Sequence, residues 1–111
     1  MNFYLELGNF LDEFYKSSKE KRENMIKKNI FENQNSDMPI IPLFAATVHK
    51  LANDYNLEAP KWIWNKECYS KDKPFYDCNA KGNLRLLFNY KSPIEFKHRN
   101  LFVDENFLKR V

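Results

Sequence analysis

A chain of 111 residues with 43% hydrophobic and 16% aromatic side chains is long enough to bury one core without a metal or disulfide, and too rich in rings to be disordered. Its formal charge is only +3, but the distribution is uneven: residues 1–80 carry 11 basic and 12 acidic groups, residues 81–111 carry 7 and 3. Two glycines, Gly8 and Gly82, rule out a glycine-rich phosphate loop of the P-loop or dinucleotide-binding kind.

Residues 2–16 place Phe3, Leu7, Phe10, Leu11 and Phe14 at the three- and four-residue spacings of one helical face. Ser17 or Ser18 then caps a second expected helix over 19–31, whose apolar set is Met25, Ile26, Ile30 and Phe31. The polar run 32–37 reads as a surface loop. After Pro39 and Pro42 the 3.6-residue period holds through Ile41, Phe44, Ala45, Val48, Leu51, Ala52 and Tyr55, with Asn56 as C-terminal cap. This segment is the expected central strut.

From 57 to 77 the pattern weakens. Pro60 and Pro74 punctuate a stretch in which Trp62, Trp64, Tyr69, Phe75 and Tyr76 alternate with lysines, predicting a short helix over 61–68 and irregular chain beyond. Leu84, Leu86, Leu87, Phe88 and Tyr90 fit a helix through 84, 87 and 88 and equally a strand through 84, 86, 88 and 90; helix is the reading adopted. Ser92-Pro93-Ile94-Glu95 combines an N-cap serine, a first-turn proline and a capping-box glutamate, predicting a short helix to Arg99. Residues 101–103 follow as an extended link, and Asp104 caps a last helix carrying Phe107, Leu108 and Val111. The expected fold is mainly α: one domain over 1–111, a small bundle of about five to six helices with an irregular, aromatic-rich connection.

The chemistry-bearing residues are sparse. His49, Cys68, Cys78 and His98 contain no close pair of the kind a zinc site shows, so neither a metal nor another cofactor is expected. His49 lies at the edge of its helix's apolar stripe, a structural position more often than a catalytic one. A hydrolase using His49 or His98 remains a third reading, after two binding ones, and no catalytic residue is assigned. The lysines and rings of 61–76 can be drawn as a single-strand platform, but rings in a segment poor in aliphatics mostly anchor it to the core. The sharpest cationic constellation is Lys97, His98 and Arg99 with Lys109 and Arg110, which forms one patch if the two last helices are adjacent. Arg99 and Arg110 also stand where helix C-termini want cations, and a structural role as helix cap or as a clamp on a carboxylate or backbone carbonyls is the reading favoured for them.

Ala59-Pro60-Lys61-Trp62 and the run from Ser92 to Val103, an S-P-x-x-F-K-x-R-N-x-F-V motif, resemble a pattern of short bacterial proteins of unknown function. They are also similar to segments that follow helix-turn-helix domains in some bacterial regulators. The resemblance covers about the second half of the chain and implies a regulatory or interaction role, in a setting such as toxin–antitoxin control. It brings no catalytic residues, and this chain shows no helix-turn-helix to read DNA. Two binding readings follow. The first is a protein partner docked on Pro60, Trp62, Phe96, Lys97, His98, Arg99 and Phe102, because Trp and Arg anchor interfaces. The second is nucleic acid held without sequence preference by Lys97, Arg99, Lys109 and Arg110. No run of about 20 apolar residues occurs and the first dozen residues hold no Lys or Arg, so neither a membrane span nor a secretory leader is expected, and the expected location is cytoplasmic.

Overall fold

The computed structural model describes residues 2–110 apart from Asn33 and Asn35. The helix α1 (Phe3–Tyr15) begins where Asn2 accepts the Leu5 N–H at 3.3 Å, and it buries the predicted face of Phe3, Leu7, Phe10, Leu11 and Phe14. Its last turn carries no cation of its own. That role falls to Arg22 on α2 (Lys19–Met25), whose guanidinium donates to the Phe14 and Tyr15 carbonyls, both at 2.8 Å, and lies over the Tyr55 ring. Ser18 caps α2 as expected, but the helix stops at Met25 rather than reaching Phe31. Ile26 and Phe31 are buried separately through an intervening turn; five residues apart, they would stand about 140° from each other on one helix.

The strut is α3 (Ile40–Asp54), buried without interruption from Pro42 to Val48. Ala45, Ala46 and Thr47 let neighbours approach on all sides, and the Thr47 hydroxyl returns to the Leu43 carbonyl at 2.8 Å. The helix ends in a Schellman turn: Asn56 adopts φ 55° and the Leu57 N–H reaches back to the Ala52 carbonyl at 2.8 Å. Two 3₁₀ turns, Lys61–Trp64 and Lys66–Cys68, pack against α3 in place of the single short helix expected there.

A two-residue parallel pair joins β1 (Phe75–Tyr76) to β2 (Leu101–Phe102), with Phe75 opposite Leu101. Between them run α4 (Gly82–Lys91) and α5 (Ile94–Lys97). The alternation through 84–90 is therefore helical, and the fold is mainly α with five α-helices among the described residues.

Two expectations at the C-terminal end fail. Ser92 is not the cap of α5: its hydroxyl is buried, accepts the Val103 N–H at 2.8 Å and faces the Phe88 carbonyl at 2.6 Å, while Glu95 takes a bond from the Asn53 side chain at 2.9 Å. Residues 104–110 form successive turns, not a helix. Asp104 accepts from Asn106 N–H through its side chain and from Phe107 N–H through its carbonyl, and Lys109 N–H bonds the Asn106 carbonyl, all reaches too short for an α-helix. Val111 lies outside the described residues.

Candidate functional site

The residues predicted to form a partner surface are mostly structural. Trp62 stacks on Phe44 with centroids 5.7 Å apart and donates its indole N–H to the Ile26 carbonyl at 2.9 Å, and Pro60 beside it is half-buried. Phe96 is fully enclosed, and Phe102 stacks on Tyr76. His98 is exposed, edge-on to Tyr69. Arg99 is the largest buried side chain, 1% exposed, which removes it and Phe96 from any contact surface. The continuous cationic patch does not form either. Arg110 is bound to Asp12 by two bonds of 2.9 and 3.2 Å, Lys97 donates to the Tyr90 carbonyl at 3.0 Å, and of the four only Lys109 is exposed without such a contact.

Arg99 is buried without a carboxylate. One terminal nitrogen donates to His49 Nδ1 at 3.0 Å and to the Glu95 carbonyl at 3.2 Å, the other to the Ile63 carbonyl at 3.0 Å, and Nε finds no partner. Tyr69 and Trp64 lie 5.0 and 5.4 Å from the guanidinium carbon. The cation thus ties α3, the 61–64 turn and α5 together. Since an arginine can only donate, His49 Nδ1 must accept, and the neutral ring carries its proton on Nε2. Partial burial and then the Arg99 charge push the His49 pKa below its ordinary value.

A hollow of about 270 Å³ opens beside this pair, lined by His49, Asn53, Trp64, Ile94, Glu95 and His98. It brings both histidines of the chain to one opening beside Glu95 and Asn53. With Nδ1 occupied by Arg99 and Nε2 protonated, His49 has no free lone pair with which to act as a base toward the hollow. Both thiols are shifted toward the protonated form: burial pushes Cys68 up to about 11, and burial and the Asp77 carboxylate raise Cys78. Among the described residues no three His, Cys, Asp or Glu side chains are grouped to hold a metal.

The site that sequence reasoning missed is α4. This helix buries one residue, Phe88. Arg85 and Asn89 serve the flank toward the fold, Arg85 lying over the Tyr76 ring at 4.1 Å and Asn89 accepting the Tyr76 hydroxyl at 2.5 Å. Leu84, Leu86, Leu87 and Tyr90 point away, between 43 and 79% exposed, and Ile94 at the start of α5 is 71% exposed. The helical spacing of these residues was visible; that Phe88 alone would be drawn in was not, because periodicity identifies an apolar face without saying what it meets.

No family model, curated protein or solved structure matches this chain.

Proposed function

We propose that this protein is a protein-interaction module whose partner covers the outward face of α4. The observation that carries this reading is the orientation of the helix: it sends one aromatic ring inward and three leucines and a tyrosine into solvent. An ordinary surface helix does the reverse. A contiguous apolar patch of several hundred Å² is what interaction sites leave exposed in the free state. Covering about 400 Å² of it removes apolar area worth roughly 10 kcal/mol at 25 cal/mol per Å². Association itself costs at least about 4 kcal/mol, so at most about 6 kcal/mol remains, a Kd of some tens of micromolar at best before the partner's own buried area and any polar contact are added. The regulatory role implied by the sequence resemblance is compatible with such a module and belongs to the same proposal.

The test begins with a photocrosslinking amino acid at position 90, identification of the captured protein by mass spectrometry, and reconstitution from the two purified components. Leu86→Ser/Leu87→Ser should weaken the reconstituted complex by about tenfold or more while leaving the thermal midpoint of the free module unchanged, since both side chains are exposed. A reconstituted partner that binds this double variant as tightly as the parent removes α4 from the interface.

A further inference from the structure

We infer that the occupant of the α4 face is an amphipathic helix of a partner protein whose apolar stripe is flanked by Asp or Glu; this rests on the interaction reading above and specifies its chemistry. Between Asp77 and Glu95 the chain holds no acidic residue, while Lys81, Arg85 and Lys91 all fall on or beside α4. Glu95 itself is buried against Asn53. Lys97 reaches back to the Tyr90 carbonyl, which sets a further ammonium at the foot of the same face. Arg85 is turned to the Tyr76 flank, so the charges this stretch supplies to the leucine face are Lys91 and Lys97, both positive.

Position around the helix selects among the occupants that could use such a face. At 100° per residue, Lys91 falls between Leu87 and Leu84, inside the apolar arc, and its ammonium stands 5.9 Å from the Tyr90 ring. A bilayer asks for apolar residues that share one depth with cations at the margin, and an ammonium within the arc breaks that plane. A second copy of the chain would bring further lysines to the contact, with no acidic residue between Asp77 and Glu95 to answer them. A helix with a carboxylate opposite Lys91 meets both demands. The i, i+3 and i, i+4 ridges formed by Leu84, Leu87 and Tyr90 and by Leu86 and Tyr90 are the surface into which another helix packs. Past the extended Ser92–Pro93 corner, Ile94 lines the hollow that also contains Trp64 and His98, a seat for one anchoring side chain of the partner.

The experiment uses three fluorescein-labelled 18-residue helical peptides in anisotropy titrations with the purified protein. One carries leucines at i, i+3, i+4 and i+7 flanked by glutamates, the second the same leucines flanked by lysines, the third the glutamates with glutamine in place of leucine. The first should bind at least about tenfold more tightly than either control, weaken as salt rises from 50 to about 300 mM, lose about tenfold with Lys91→Glu, and keep its affinity with Lys91→Arg. Loss in Leu86→Ser/Leu87→Ser would place that binding on α4. Failure of the glutamate peptide to bind, equal binding of the lysine peptide, or indifference to Lys91→Glu overturns the inference. So does co-sedimentation with phosphatidylserine vesicles, or a dimer in light scattering, that Leu86→Ser/Leu87→Ser abolishes. If the reconstituted native partner is lost with the leucine double variant but ignores Lys91→Glu, the acidic-helix inference falls and the interaction reading stands.

Discussion

Replacing Arg99 with methionine tests the centre of the fold, because it keeps a long flexible side chain while removing every bond the guanidinium makes. Three acceptors lose their donor: the Ile63 and Glu95 carbonyls and His49 Nδ1. Leaving a buried acceptor unsatisfied costs about 1–2 kcal/mol, so the three together cost about 3–6 kcal/mol. Against this stands relief from holding a buried cation without a carboxylate, and the apolar burial of the methionine, which together return about 2 kcal/mol. The expected net loss is about 1–4 kcal/mol, a fall of about 5–20 °C in Tm for a domain of this size, read by calorimetry or by the midpoint of urea denaturation. A second readout isolates the contact itself. With the neighbouring charge gone, the His49 pKa should rise part of the way toward its ordinary value, burial holding back the rest, as followed by the ring proton shifts in NMR. A variant as stable as the parent would show that the cation's desolvation outweighs its bonds, and a His49 titration that stays put or moves down would refute the Arg99 pairing.

Three further outcomes follow from the same structure. The unfolded chain protonates His49 near pH 6.5 and the folded chain only at lower pH, so between those values the unfolded state binds more protons; stability should fall as pH drops from 7 to 5, and His49→Gln should flatten that slope in urea titrations. Ser92→Ala should cost about 2 kcal/mol by stranding the buried Val103 N–H, measured as a lower urea midpoint. Asn56→Gly should raise Tm by the equivalent of up to about 1 kcal/mol, because a left-handed C-terminal cap suits glycine better, whereas Asn56→Val should lower it.

The two long helices were legible because their apolar residues repeat at helical spacing and nearly all of them are buried. Asn56 was legible as a cap because asparagine tolerates positive φ. Where the sequence misled, a partner distant along the chain had taken over a residue with a strong local meaning. Ser92, Pro93 and Glu95 spell a capping box, yet the serine hydroxyl is claimed by Val103, eleven residues on, and the glutamate by Asn53. Arg99 stood where a helix end wants a cation, but the field of Tyr69, Trp64 and three acceptors draws it inside. Asp104 looked like the cap of a helix; the segment instead turns so that Leu108 is buried and offers its carbonyl to the Tyr15 hydroxyl at 2.7 Å. The orientation of α4 was beyond reach for another reason, since the helical spacing of Leu84, Leu87 and Phe88 does not say which of the three is buried, and only Phe88 is.

The first helix is stitched to the last residues of the chain. Tyr15 holds the Leu108 carbonyl, Asp12 holds Arg110, and the guanidinium of Arg110 occupies the space that Gly8 leaves free, about 3.0 Å from where a β-carbon would stand. That flank of α1 stays uncovered until a segment 93 to 98 residues further along has been made and has docked, so it is among the last parts of this domain to close. Truncation before Leu108 would leave it open.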